Sequence, residues 1–261
     1  MEGRDPAALD VLERSLEAHG GRALWESAAS VTTTLDIGGA ALALKGRSPF
    51  ARRIVAEVDP LRPAVELRHP RGTFRMDGWS IRPASSGPDE AYEVDVHDGS
   101  HRAPRLWSDL DEAHFLSYAV WNYVLGPWLL LHACDAMERL PDGARRGQPH
   151  ARVRVRFRPD VPTHCPEQTF WFDAEGRLAR LDYTAHALSS WAHGAHEVES
   201  YATFDGIELP RKRRVRLRPF GGGRSAPLVS AMRGELRSVV FTAQDGSERR
   251  WGESVGPTPR R

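Results

Sequence analysis

The residues best placed for acid–base chemistry lie in one helix-patterned segment. Asp111, His114 and Tyr118 are three and four residues apart, so they share one face of a helix, which Trp121 and Asn122 continue. A histidine between a carboxylate and a tyrosine can serve as an oriented acid or base. In the structural alternative, the acidic residues simply favour a helix N-terminus, and His114 and Tyr118 satisfy a mixed environment. Asp111, His114 and Tyr118 are therefore candidate catalytic residues, with that alternative open.

A second candidate, His164, lies in a loop bracketed by two prolines, residues 161–168 (VPTHCPEQ). The prolines restrain the backbone around the histidine, which suits a residue of a functional site. An ordinary strand connection with a solvent-exposed histidine is the alternative. Cys165 is its neighbour, but adjacent residues rarely orient their side chains together, so we do not expect a cysteine–histidine nucleophile pair.

A third group lies further along the chain and contains Asp182, Tyr183, His186, His193 and His196. On a strand Asp182 and His186 would share a face, which allows a metal site in principle. His193 and His196 would fall on opposite faces, and no HExxH spacing is present. We therefore predict no metal and no cofactor. Tyr183 and His196 are candidates for hydrogen bonding or proton relay, with a purely structural role as the alternative.

These candidates need elements to position them, and the most distinctive element is a helical plug at residues 107–137 (WSDLDEAHFLSYAVWNYVLGPWLLLHACDAM). Its apolar centre is long enough to span a membrane, yet it contains Asn122, Gly126-Pro127 and His132. We predict two helical segments bent at Gly126-Pro127, buried against a sheet beside an internal cavity, and no integral membrane association. The residues predicted to bind a ligand there are Phe115, Trp121, Trp128, Phe170, Phe172 and Gln168.

The rest of the chain is strand-patterned after one short helix. Asp5 can cap that helix, leucines recur on one face, and Gly20-Gly21 end it. From Ser30 the apolar period changes to two, and residues 151–158 (ARVRVRFR) alternate without a break. Residues 141–149 are predicted to be a turn-rich connector and 221–224 a loop. We expect one domain over residues 1–250 and a frayed tail over 251–261.

Three motifs carry a resemblance to a known superfamily. They are LEAHGG with a following tryptophan at residues 16–25, DAEGRLARLDY at 173–183 and FDGIELPR at 204–211. Together with the order of elements, they resemble the bacterial outer-membrane lipoprotein-carrier superfamily, and a similar pattern occurs in uncharacterised cytoplasmic relatives. The resemblance implies an α+β fold with a strongly curved antiparallel sheet, an unclosed barrel. In that fold helices cover the concave face and enclose an apolar cavity for acyl chains or other hydrophobic ligands.

Composition and charge argue against nucleic-acid binding. The 36 basic residues nearly cancel the 35 acidic ones, so no overall field attracts nucleic acid. A basic run at residues 211–218 alternates with Val215 and Leu217, which favours a solvated outer strand face over a nucleic-acid site. We therefore expect no nucleic-acid partner; the sequence does not indicate a protein partner.

The expected location is the cytoplasm. The N-terminal residues contain no apolar stretch typical of a signal peptide, and no lipobox cysteine is present. Cys134 and Cys165 are the only cysteines and lack metal or redox spacing, so we expect buried, idle thiols in a reducing compartment.

Two functions fit these observations. The first is binding of a hydrophobic small molecule, lipid-like or aromatic, in an apolar cavity beneath the plug. The alternative is a cofactor-independent enzyme, a cyclase, isomerase or hydrolase, in which histidines and tyrosines move protons on a hydrophobic substrate. The missing catalytic motif favours binding, and the eleven histidines favour catalysis. We predict hydrophobic ligand binding.

Overall fold

The computed structural model describes residues 3–94, 106–204, 207–217 and 230–252. The predicted loop at 221–224 and nearly all of the predicted tail lie outside these residues. The helices are α1 (Pro6–Ala18), α2 (Gly21–Ser27), α3 (Ala40–Ala43) and α4 (Asp109–Ala133), with a 3-10 turn at Pro88–Glu90.

The strands alternate apolar and polar residues and form one antiparallel sheet. Those before α4 are β1 (Ala28–Gly38), β2 (Arg52–Val58), β3 (Ala64–His69), β4 (Gly72–Asp77), β5 (Ser80–Pro83) and β6 (Tyr92–Glu93). Those after it are β7 (Cys134–Arg145), β8 (Gln148–Phe157), β9 (Glu167–Phe172), β10 (Leu178–Thr184), β11 (His193–Phe204), β12 (Ile207–Leu217), β13 (Ser230–Ala243) and β14 (Glu248–Gly252).

The sheet is open, and its two halves meet in the middle. Its order is β6-β5-β4-β3-β2-β1-β13-β12-β11-β10-β9-β8-β7, and β14 pairs with β13. Helix α4 contacts β2 to β5 in one half and β7 and β8 in the other, so the sheet bends around it. A hydrogen bond also links the two halves away from the middle of the sheet: Trp79 Nε1, between β4 and β5, donates to the carbonyl oxygen of Pro159, after β8, at 3.0 Å. These features confirm the predicted α+β fold with a curved, unclosed antiparallel sheet.

Helix α4 begins at a capping box and bends where the sequence predicts. Ser108 and Asp111 cap each other's backbone N–H groups, and three carboxylates lie in the first turn. Gly126 interrupts the helix with φ 47° and ψ −123°, a conformation that side chains rarely tolerate, directly before Pro127. The predicted bend at Gly126-Pro127 is therefore confirmed. No helix among the described residues is both long and apolar enough to traverse a bilayer.

The N-terminal end of α4 is held to the first half of the sheet by buried charge. Glu112 is 1% exposed and lies 2.8 Å from Arg47 Nε and 2.8 Å from Arg52 Nη1. Arg71 lies 3.4 Å from the same carboxylate and 2.6 Å from Asp109. This cluster of Arg47, Arg52, Arg71, Asp109 and Glu112 fixes the position of the helix over the sheet.

The plug is shorter at its C-terminal end than predicted. Helix α4 ends at Ala133, and β7 occupies residues 134–145, which the sequence assigned to the end of the plug and to a connector. Pro141 lies within β7, although a central strand would exclude it. It is tolerated because β7 lies at the end of the strand order, and the register shifts between Leu140 and Gly143.

Candidate functional site

A cavity of about 80 Å³ lies between α4 and the middle of the sheet. Helix α4 contributes a face at residues 115, 119, 120, 123 and 124, a spacing that places all of them on one side. The opposite wall comes from β1, β10, β11, β12 and β13. Most of the wall is apolar, and its chief aliphatic members are Leu35, Ile37, Val120, Met232, Leu236 and Val239.

One side of the cavity carries polar groups instead. Tyr183, His196 and Arg213 come from the neighbouring strands β10, β11 and β12, and all three line the cavity. Pairing of Tyr183 with Gly194 provides room for the phenol ring, because a side chain at Gly194 would meet Tyr183 Cε2 at 3.2 Å. Strand pairing therefore brings together residues far apart in sequence.

His164 is the centre of a buried hydrogen-bond chain. Its Nδ1 lies 3.1 Å from Tyr118 Oη, and its Nε2 is hydrogen-bonded to Tyr123 Oη. Tyr123 Oη in turn lies 3.3 Å from Tyr183 Oη, and the Tyr183 ring stacks on His164 at 4.3 Å between centroids. Asn122 holds the histidine loop against α4 by donating to the carbonyl oxygen of Pro162 at 2.9 Å.

One direction of hydrogen-bond donation satisfies Tyr118, which lies at the buried end of these linked hydrogen bonds. Tyr118 is fully buried, and among the described residues its hydroxyl has only His164 as a partner. Its proton must therefore be donated to Nδ1, which leaves Nε2–H to donate to Tyr123. Tyr123 then donates to Tyr183, and the Tyr183 O–H remains at the cavity wall.

Burial holds every member of this group in its neutral form. It lowers the pKa of His164 to about 3 and, with the charge of Arg213, lowers that of His196 well below 6.5. Burial also raises the pKa of the Tyr118, Tyr123 and Tyr183 phenols above 10. At neutral pH the chain donates and accepts hydrogen bonds without carrying charge.

Of the predicted catalytic residues, the structure unites His164, Tyr183, His196 and Tyr118, although Tyr118 does not line the cavity. His114 is buried outside the wall, with Nε2 3.4 Å from the carbonyl oxygen of Gly78. Asp111 does not line the cavity either: its Oδ2 accepts from the Ser108 backbone N–H and hydroxyl, both at 2.8 Å. The structural alternative therefore describes Asp111 better than an acid–base role.

Of the predicted ligand-binding residues, Phe115 lines the cavity. Trp121 and Trp128 point to the other side of α4, where their indole N–H groups donate to the carbonyl oxygens of Asp59 at 2.9 Å and Pro60 at 3.0 Å. Phe170 and Phe172 are buried core residues of β9 outside the cavity wall. Gln168 Nε2 donates within the histidine loop, to Thr163 and to the carbonyl oxygen of Cys165.

Tyr123 and Arg213 are among the residues of the site that were not predicted from the sequence. Tyr123 lies eight residues after Phe115, so the helical period could have placed it on the same face. Arg213 belongs to the run assigned to a solvated outer face, and that assignment is wrong for this residue. Strand alternation puts Arg213 on the face of Val215, which lines the cavity, whereas Arg214 pairs with Glu199 at 2.7 Å.

The other candidate groups do not converge. Thr184 Oγ1 lies 2.9 Å from His193 Nδ1, on the strand face opposite His196. Across the described parts of the chain, no group of three or more histidine, cysteine or acidic residues is arranged to hold a metal ion. Cys134 and Cys165 are buried free thiols, as predicted.

Comparisons with known proteins identify the fold. A LolA superfamily protein from Nitrosomonas europaea has a TM-score of 0.54 and 9% identity, over 89% of this chain and 92% of that chain. A DUF1329 family protein from Desulfovibrio piger has a TM-score of 0.51 and 10% identity, over 90% of this chain and 92% of the other. These likenesses show a LolA-like fold. No protein-family model matches the sequence, and no curated protein matches it.

Proposed function

We propose that this protein binds a hydrophobic small molecule, lipid-like or aromatic, in the cavity between α4 and the sheet. The observation that carries the proposal is a predominantly aliphatic wall placed on both α4 and the strands facing it. Apolar cavities with a few convergent polar groups are typical of small-molecule sites. The resemblance of the sequence to lipoprotein carriers implies the same kind of ligand.

Binding is a better account of the site than proton-transfer catalysis. A general base works best with a pKa near the working pH, whereas burial depresses the pKa of both cavity histidines far below neutrality. The predicted partner of His164 in acid–base chemistry, His114, does not line the cavity. The tyrosine and histidine groups instead supply fixed hydrogen-bonding groups for an otherwise apolar ligand.

Gly234 offers a direct test. It lines the cavity opposite Arg213 and Ile37 in the strand register, and a Cβ atom there would meet no heavy atom within 4 Å. Gly234→Leu should therefore place an aliphatic side chain in the cavity, because its first atom has room there. The matched control is Gly87→Leu, because Gly87 lies outside the cavity and also faces open space with φ −69°.

The ligand for this test is hexan-1-ol, followed by amide chemical shifts in a titration. A water-sized group needs about 10–15 Å³, so the cavity of about 80 Å³ accommodates roughly six such groups. This is close to the size of hexan-1-ol. We expect saturable shifts around the cavity in wild type and Gly87→Leu, and none in Gly234→Leu. Equal binding by all three proteins would contradict the proposed location, and no binding by any would contradict the proposed function.

A further inference from the structure

The polar side of the cavity contains Arg213, a buried cation for which the described residues supply no anion. Arg213 Nη2 donates to the carbonyl oxygen of Tyr123 at 2.9 Å, and its guanidinium lies 5.3 Å from the centre of the Tyr123 ring. Its Nη1 is buried and has no hydrogen-bond partner among the described residues. None of the described carboxylates lies within ion-pair distance of it. A buried charge without a counter-ion is costly, so an anion at this point would stabilise the site.

His196 is a second group with unused hydrogen-bonding capacity. It is 3% exposed, and within the described part of the chain neither ring nitrogen has a partner. The Tyr123 ring packs against it at 4.4 Å between centroids. Because burial keeps the imidazole neutral, one nitrogen carries a proton available for donation.

The third group is the hydroxyl of Tyr183. The direction of the His164 chain leaves the Tyr183 O–H without an acceptor among the residues described. The Tyr183 and His196 rings lie 6.4 Å apart between centroids, with Tyr123 in contact with both residues. Three donors from three adjacent strands therefore surround one end of the cavity.

We infer that the ligand is an anionic amphiphile whose carboxylate head lies between Arg213, His196 and Tyr183. Its apolar chain extends towards Leu236 and Val239. This inference rests on the proposed function and names the chemical class of its ligand. A carboxylate accepts several hydrogen bonds at once and supplies the missing negative charge, which an alcohol does not. The aliphatic wall opposite holds the chain.

Three ligands with the same six-carbon chain test the head-group requirement: hexanoate, hexan-1-ol and hexylamine. The dissociation constant of each is measured at pH 7 from amide shifts in an NMR titration. A hydrogen bond to a charged group contributes about 1.5–3 kcal/mol, which corresponds to roughly 10–150-fold in affinity. We expect hexanoate to bind at least about tenfold more tightly than hexan-1-ol, and hexylamine more weakly than either.

Two variants locate the preference. Arg213→Met removes the charge, and Tyr183→Phe removes only a hydroxyl from a ring that keeps its packing. Both should move the hexanoate-to-hexan-1-ol affinity ratio towards one. The control Arg214→Met removes an arginine from the other face of the same strand, where it pairs with Glu199, and should keep the wild-type ratio. Each variant's amide spectrum reports whether it is folded.

The outcomes separate this inference from the proposed function. Equal wild-type affinity for hexanoate and hexan-1-ol, or tighter binding of hexylamine, would overturn the anionic head group while leaving the hydrophobic cavity intact. A ratio lost equally in Arg214→Met would overturn the assignment to Arg213. Binding of none of the three ligands would overturn the proposed function and this inference with it.

Discussion

Replacing Glu112 by glutamine should destabilise the protein severely. Glu112 is 1% exposed, and Arg47 and Arg52, each 11% exposed, lie 2.8 Å from its two oxygens. Neutralising the carboxylate leaves two guanidinium groups with poor access to water and no buried counter-ion. Removing one partner of a buried ion pair costs about 3–5 kcal/mol. We therefore expect Glu112→Gln to lower the free energy of unfolding by about that amount.

The assay is urea unfolding followed by circular dichroism, with the free energy extrapolated to water. Asp109→Asn is the matched control, because Asp109 contacts Arg47 and Arg71 of the same cluster but is 52% exposed. Exposed ion pairs contribute about 1 kcal/mol or less, so the control should change little. Equal losses in the two variants would refute the argument that the buried charge of Glu112 anchors α4.

Three further predictions concern the backbone, pH and the thiols. Gly126→Ala should lower the free energy of unfolding by about 1–3 kcal/mol. The loss comes from backbone strain alone, because the added Cβ would meet no atom within 4 Å. The control Gly87→Ala should change the free energy little in the same urea assay. Burial lowers the pKa of His164 to about 3 in the folded protein, so between pH 6.5 and 3 the unfolded chain binds more protons at this residue. The free energy of unfolding should therefore fall by about 1.4 kcal/mol for each pH unit of acidification in this range. His164→Gln should show a shallower fall in urea titrations, and a slope identical to that of the wild type would contradict the pKa shift. Burial raises the pKa of the Cys134 and Cys165 thiols, so iodoacetamide at pH 8 should label them slowly until urea is added. Mass spectrometry measures the labelling, and rapid labelling of the native protein would contradict their burial.

Periodicity in the sequence was sufficient to predict the main elements of the fold. The change from a 3.6-residue to a two-residue apolar period after α1 predicts the strands, and Gly126-Pro127 predicts the bend in α4. The alternation in residues 151–158 puts Val153 and Val155 in the core, where the structure has them. Strand β7 was missed because Pro141 indicates a turn, and only its position at the sheet edge makes the proline acceptable.

The candidate site was predictable only in part. His164, Tyr183 and His196 were recognised by residue type, but their convergence depends on pairing between β10 and β11 and on the approach of α4, which single-sequence spacing does not reveal. On α4 the sequence pointed to Phe115, which lines the cavity, but also to His114 and Tyr118, which do not, and it missed Tyr123. Side-chain direction depends on helix rotation, which packing decides.

The cytoplasmic location and the single domain over residues 1–250 stay predictions. The central claim, that the cavity binds a hydrophobic molecule, is tested most directly by measuring where a ligand lies. Nuclear Overhauser effects between unlabelled hexanoate and 13C-labelled methyl groups give that position. We predict contacts from the chain protons to the methyl groups of Met232, Leu236 and Val239, which line the cavity, and none to Leu67, which is buried elsewhere. Saturating ligand without contacts to these three methyl-bearing residues would contradict the account.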